Sequence, residues 1–289
     1  MPSPLLAPLF GSPAMDAVWS DEASVVAMLR FEAALAEAEG EAGVIPASAV
    51  VPITACRIML DVDMPALAAA AGIAGNTAIP LVKMAIARVA ESDPEAAKWV
   101  HYGATSQDAM DTGLVLQLRE AFKVIDADLA RAMAAAAALA RAHRETPMAG
   151  RTWLQQALPI TFGLKMAGTL DALMRHRDRL AEARPRILAL QFGGAAGTLA
   201  SLGDKGPEVA RLLAARLNLS LPDTPWHGQR DRIFEAASLM AGLVASAAKL
   251  ARDVALMMQT EIGEVLEPAA PGRGGSSTMP HKRNPTLSA

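Results

Sequence analysis

Between residues 114 and 139 the apolar side chains Leu114, Leu118, Phe122, Ile125, Leu129, Ala132, Ala136 and Leu139 recur at spacings of three and four. An α-helix gathers such a set into one stripe, because its turn takes about 3.6 residues. A stripe of this length outruns the usual globular helix and needs long partners to cover it, which is the situation inside a helical bundle. Two further stretches have the same character. One runs from about 161 to 183 through Phe162, Met166, Leu170, Leu173 and Leu180. The other runs from about 229 to 262 through Ile233, Met240, Leu243, Ala247, Leu250, Val254 and Met257. Sustained apolar-polar alternation is nearly absent and no Asn-Gly hairpin signal occurs. The expected fold class is therefore all-α, with the three long helices joined by glycine- and proline-bearing segments at 146–160 and 184–228.

The chain ahead of the first stripe reads differently. Ser20 can cap a helix whose first turn carries Asp21 and Glu22, the charges a helix N-terminus favours. Val25, Met28, Leu29 and Leu35 give that helix an apolar face, and Gly40 and Gly43 end it. Shorter helical pieces follow, broken at Pro46, Pro52, Pro65, Gly72, Gly75 and Pro80, with another start at Asp93-Pro94. The reading is a small helical N-terminal domain over 1–111 and a central bundle domain over 112–289.

Composition narrows the function classes. Hydrophobic residues make up 52% of the 289, so a large core is affordable, but only 4% are aromatic, so aliphatic side chains and alanine must build it. The net charge of −3 argues against nucleic-acid or acidic-membrane partners. Continuous apolar runs such as "AMAAAAALA" are too short to span a bilayer. No signal-peptide pattern opens the chain, and the lone Cys56 can form no internal disulfide, so a cytoplasmic location is expected. The five histidines show no metal-ligand spacing, so no metal is expected. "FGGAAG" at 192–197 lacks the dinucleotide-binding spacing, and His176 in "RHRDR" reads as part of a solvated helix face.

Three polar islands interrupt the apolar pattern. "HYGATSQD" offers His101, Thr105, Ser106 and Gln107 just before the first long helix; a capped helix start would use the same residue types. "GRTWLQQALP", residues 150–159, lies between two long helices, where a plain connecting loop is the simpler reading. "GRGGSSTMPHKRNP", residues 272–285, is harder to dismiss. Its glycines and serines would suit a linker, but a linker has no use for Met279, Pro280, His281, Lys282, Arg283, Asn284 and Pro285 behind them. Backbone N–H groups beside Ser276 and Ser277 can hold an anion or an alkoxide, with Lys282 and Asn284 adding a charge and an amide.

Taken together, in order and spacing, the islands resemble the three signature regions of the fumarase/aspartase superfamily. "QRDR" at 229–232 and "TEIGEVLEP" at 260–268 also fit its adenylosuccinate-lyase branch. The resemblance covers essentially the whole chain. It implies a homotetramer of long-helix bundles, with each active site combining the three regions from three different subunits and with no cofactor. It also implies further bundle helices and a C-terminal helical domain after the signature loop, so the bundle is expected to be incomplete at Ala289. The implied reaction removes a proton alpha to a carboxylate, forms an enolate-like dianion and expels a group from the beta carbon, or runs in reverse. On this reading Ser276 is the base, with Ser277 the other candidate. Thr105, Ser106, Lys282 and Asn284 bind the substrate carboxylates, with Gln107, Thr152, Gln155 and Arg232 beside them, and His101 takes a catalytic part. A serine whose pKa must fall about 6 units needs about 8 kcal/mol of differential stabilisation, so several donors and a closing loop are required.

One residue departs from the lyase pattern. Where the lyases have a histidine after the threonine, this chain has Trp153, between Thr152 and Gln155. Indole cannot shuttle a proton at neutral pH. A leaving group that is already a stable anion does not need one, and this combination resembles the carboxymuconate-cycloisomerase branch, as does the N-terminal stretch from Leu5 to Pro46. Membership there implies a tricarboxylate substrate of aromatic-compound degradation through protocatechuate, with an internal carboxylate adding to a double bond. A member of the adenylosuccinate-lyase branch or another beta-elimination lyase of the superfamily, with Trp153 tolerated, and a non-catalytic structural relative are the alternatives; intact Ser276, Lys282 and Asn284 weigh against the last.

Overall fold

The structure, a computed structural model, describes residues 5, 7–59 and 61–288, those at 57–59 by their backbone alone. Its helices are α1 (Ala7–Phe10), α2 (Pro13–Val18), α3 (Asp21–Glu41), α4 (Ala47–Met59), α5 (Met64–Ala74), α6 (Ala78–Ser92), α7 (Ser106–Ala142), α8 (Phe162–Ile187), α9 (Gly206–Leu217) and α10 (Asp231–Met257). The three long stripes are α7, α8 and α10, each within a few residues of its expected bounds except that α7 begins earlier, at the first island. Pro52 does not break α4 but lies inside it, and α9 occupies part of the segment expected to be a connection.

The helical expectation has one correction. Residues 147–161 form an antiparallel hairpin, β1 (Pro147–Thr152) and β2 (Gln155–Thr161), with Thr152 opposite Gln155 across a two-residue turn. Trp153 and Leu154 make that turn with φ of 53° and 62°. Positive φ at both central residues is the geometry whose twist matches paired strands. It is usually met by Asn-Gly, and for bulky residues it costs about 1–2 kcal/mol each, so Trp-Leu carries none of the local signals by which a hairpin is read.

Chain contacts divide the molecule into two compact units: the residues up to Ile125 with Arg184–Ile233, and Asp126–Ala183 with the chain from Phe234 on. The first is organised around α3. The Ser20 hydroxyl caps it by accepting from Ala23 N at 3.1 Å, as its sequence predicts. α4 and α9 pack on α3, and because its alanines let neighbours approach closely, it is buried almost all round. Phe31 and Leu35 of α3, Leu81 of α6 and Leu213 of α9 are fully buried there.

The second unit holds the later part of α7, the hairpin, most of α8 and most of α10. Gly163 lets α8 start against the end of α7: a Cβ there would lie 2.6 Å from the Ala140 carbonyl oxygen and 2.7 Å from that of His143. His176 does not face solvent alone; its Nε2 meets the Ser246 hydroxyl of α10 at 2.8 Å. Asp253 of α10 is held by Lys165 of α8 at 2.9 Å and by Lys249 at 2.6 Å. Along α10 only Ala236 and Met257 are buried. By length and composition alone α10 is apolar enough to cross a membrane, as core helices of soluble proteins also are; its charges lie toward its two ends, at Asp231, Arg232 and Glu235 and at Lys249, Arg252 and Asp253.

One acid in the first unit is placed against its chemistry. Glu39 of α3 is fully buried, and neither carboxyl oxygen has a hydrogen-bond partner. Burial, helped by the charge of Glu32 two turns away, pushes its pKa from 4.5 to about 9. The folded chain therefore keeps a proton that the unfolded chain releases between those values. Stability is fully present below about 4.5 and is lost as pH rises toward 9, by about 3 kcal/mol at pH 7. Replacing Glu39 by methionine removes this loss. Urea unfolding at pH 8 is expected to show Glu39→Met more stable than the parent by about 4–5 kcal/mol, with a flatter dependence between pH 5 and 9.

Candidate active site

The first island is built around one buried carboxylate. Asp108, in the first turn of α7, is fully shielded from solvent. Its Oδ1 accepts from Gln191 Nε2 and Gly193 N, both at 3.0 Å, and its Oδ2 from Thr105 N at 3.0 Å and Gly194 N at 2.9 Å. The bond to Thr105 N is the returning half of a capping box. The other three reach the 188–198 segment, so the glycines of "FGGAAG" serve the island and not a dinucleotide. Gly194 has φ of 66°, and a Cβ on it would lie 2.8 Å from the Gly103 carbonyl oxygen. Gln191 is itself fixed: its backbone exchanges bonds with the Thr112 hydroxyl at 2.8 and 3.0 Å, and its Oε1 accepts from Trp226 N at 2.6 Å. Burial pushes the Asp108 carboxyl upward, against four donors that pull it down.

This scaffold sets Thr105, Ser106 and Gln107, all half-buried, at the N-terminus of a 37-residue helix. Unpaired N–H groups and the helix dipole favour an anion at such a place. His101 begins the island with φ of 59°, and its Nδ1 lies 2.7 Å from Glu32 Oε1 of α3. In the same unit Arg232 donates to the Arg186 carbonyl. Its neighbour Arg230 forms a two-pronged pair with Asp111 at 2.7 and 2.9 Å and lies over the Trp226 ring.

The third island, in the second unit, closes on itself. Asn284 N donates to the Gly274 carbonyl at 2.8 Å, and Asn284 Nδ2 to that of Gly275 at 3.4 Å. Inside the closed loop the Ser276 hydroxyl oxygen accepts from Met279 N at 3.1 Å and Thr278 N at 3.3 Å. Two backbone donors on one hydroxyl oxygen favour its alkoxide form. Ser276 is half-buried, whereas Ser277 and Lys282 are exposed.

The second island is the hairpin, in that same unit. Thr152 and Gln155 flank the turn, and Trp153 at its tip is 97% exposed. Arg151 of β1 anchors the hairpin through Glu264 at 2.7 and 2.9 Å, which accounts for one acid of "TEIGEVLEP". A hollow of about 680 Å³ lies near Met148, Phe162, Met166 and Leu250; its apolar lining does not suit a polyanion and it does not coincide with an island. Among the described residues no cluster of histidine, cysteine or carboxylates could hold a metal ion.

Sequence reading missed Glu32, Asp108 and Gln191. Asp108 stood in the quoted motif, and its position three residues after Thr105 was the available signal. Glu32 and Gln191 carried none, being single polar residues in apolar surroundings.

The chain matches the Lyase family model over residues 11–289. It is 59% identical over 288 residues to a 3-carboxy-cis,cis-muconate cycloisomerase of Bradyrhizobium diazoefficiens, covering 99% of this chain and 64% of that protein. It is 59% identical over 276 residues to the enzyme of that name from Pseudomonas aeruginosa, covering 95% and 60%. The crystal structure of 3-carboxy-cis,cis-muconate lactonizing enzyme from Pseudomonas putida superimposes with a TM-score of 0.94 at 52% identity, covering 99% of this chain and 63% of that one. The chain thus spans just under two thirds of the length of these relatives.

Because Asp108 accepts on both oxygens, an amide in its place turns a donor toward donors. Asp108→Asn is expected to lower stability by about 2–3 kcal/mol in urea unfolding, and backbone hydrogen exchange at Thr105, Gly193 and Gly194 should accelerate together.

Proposed function

The chain belongs to the fumarase/aspartase superfamily of lyases, and from that premise we propose that it carries the site of a 3-carboxy-cis,cis-muconate cycloisomerase, which closes its substrate to 4-carboxymuconolactone. The observation that carries this reading is the Ser276 hydroxyl oxygen, held by the backbone N–H groups of Thr278 and Met279. The names of the similar proteins point to the substrate.

In the proposed reaction a carboxylate oxygen of the substrate attacks a carbon of its own double bond. The new C–O bond closes the lactone, and the π electrons move onto the neighbouring carboxylate as an enolate-like dianion. The Ser276 hydroxyl then delivers its proton to the adjacent carbon, and its oxygen becomes an alkoxide until solvent reprotonates it. In the opening direction the alkoxide takes that proton back. Hydrogen bonds to a charged group are worth about 1.5–3 kcal/mol each, so the two N–H donors supply about 3–6 of the roughly 8 kcal/mol that the alkoxide needs. Closure of the loop over the site supplies the remainder in this reading, while Thr105, Ser106, Gln107, Thr152, Gln155, Arg232, Lys282 and Asn284 hold the carboxylates. These steps call on side chains and backbone alone, without a cofactor or metal.

Trp153 supports cyclisation over amine elimination. The group expelled in the opening direction is a carboxylate, whose conjugate acid has a pKa near 4, so it leaves without a general acid. An amine would forgo about 10²–10⁴-fold without one. In the assembled enzyme the exposed indole packs against the planar diene and keeps water from the lactone.

The assembly is part of the proposal. The exposed apolar length of α10, with Phe234 and Val244 facing out, is more than a lone chain ordinarily leaves uncovered. Copies pack through these helices as a tetramer and bring their islands together into shared sites, in a cytoplasmic enzyme. Light scattering at micromolar concentration should show a tetramer, and a strict monomer would remove this part of the reading.

A spectrophotometric assay should find turnover of 3-carboxy-cis,cis-muconate and little or none of adenylosuccinate; the opposite preference would overturn the reading in favour of an elimination lyase. Ser276→Ala should lower kcat at least about 10³-fold with substrate affinity nearly unchanged, since the hydroxyl acts in proton transfer.

A further inference from the structure

We propose that Glu32 is a positioning residue of this site, gripping one nitrogen of His101 so that the other is the one presented to a substrate carboxylate. The inference rests on the reading of the first island as carboxylate-binding. Glu32 lies in α3, 69 residues before His101 and outside every island, yet its Oε1 is 2.7 Å from His101 Nδ1. It is only 6% exposed, and its second oxygen, Oε2, is buried with no hydrogen-bond partner. A carboxylate used only to staple a helix to a loop would be expected to satisfy both oxygens, because an orphaned one costs free energy. Placing one charge against one ring nitrogen at that cost fits a task set by the ring.

The ring is held from several directions. His101 has left-handed backbone, φ 59°, next to a loop that Asp108 fixes at Thr105 N. With Nδ1–H committed to Glu32, the tautomer and ring plane are set, as in carboxylate–histidine pairs generally. Burial works against the imidazolium, but the charge and hydrogen bond of Glu32, followed by the charge of Asp108, outweigh it and hold His101 above its ordinary pKa. Glu32 also acts on Glu39 of the same helix and on Cys56 of α4, which is acted on by Arg88 as well. Glu39 retains its proton up to about pH 9 and adds no charge near neutrality. A protonated His101 then offers Nε2–H as a directional, charged donor to an anion.

The test uses the intact protein with labelled histidine, so that the His101 ring is followed by NMR, and tricarballylate as an unreactive tricarboxylate probe. Tricarballylate is expected to shift the His101 Nε2 resonance. Glu32→Gln should lower the pH at which His101 titrates and weaken tricarballylate about tenfold. On carboxymuconate it should raise KM by a similar factor, most strongly above pH 7, with kcat changed less than about threefold. Glu32→Asp should restore part of the affinity, and carries the same comparison if the glutamine variant does not fold. If tricarballylate leaves His101 unmoved, or if Glu32→Gln loses stability while affinity and KM stay at parental values, Glu32 is a structural staple and the proposal falls. Turnover of carboxymuconate with that result would leave the cycloisomerase reading standing. Tricarballylate binding through the Glu32–His101 pair without any carboxymuconate turnover would support the pair and sink that reading.

Discussion

A single buried carboxylate, Asp108, holds the first unit's functional corner together. Four N–H donors converge on it from two segments more than eighty residues apart in the chain. Without that anion the start of α7 and the glycine segment after α8 would each hold unpaired backbone donors in a dry place, which folding does not tolerate cheaply. The requirement propagates outward. Holding the 193 and 194 N–H groups on Asp108 leaves no room for a Cβ at either, which would lie 2.8 Å from Pro225 or from the Gly103 carbonyl oxygen, and Gln191, held in turn by Thr112 and Trp226, supplies the fourth donor. His101, with its left-handed backbone, stands four residues before the Thr105 N–H that Asp108 holds.

The second unit solves a different problem. Its helices are long enough to carry polar connections at their ends, and it uses those connections twice. The hairpin lifts Trp153 into solvent on a strained turn, with Arg151 and Glu264 bracing its base. The signature loop bends back until Asn284 meets Gly274, and the bend aims two backbone N–H groups at Ser276. In both, the side chain that the proposed function uses is placed by backbone geometry and not by a packed neighbour. That is a fitting arrangement for groups that must meet a ligand.

Acids buried in the first unit follow two contrary rules. Asp108 is saturated with donors, whereas Glu39 has none and Glu32 has a partner on one oxygen only. A saturated carboxylate can be a structural keystone. An unsatisfied one reduces stability, and its persistence asks for a reason, which for Glu32 is found in His101. For Glu39 the structure offers no reason beyond its place in the core.

Local rules determined much of this protein: the three long helices and the largely helical character follow from the 3.6-residue repeat, and the cap at Ser20 from its hydroxyl, wherever such patterns occur. The islands were legible too, because polar density inside an apolar chain is a local property. What tertiary structure alone decided was which polar groups meet. The Glu32–His101 pair and the Gln191–Asp108 bond join residues 69 and 83 positions apart, and no spacing in the sequence encodes such a contact. The hairpin belongs with them: its Trp-Leu turn runs against local backbone preference, so it exists because the pairing on either side and the Arg151–Glu264 brace outweigh the strain.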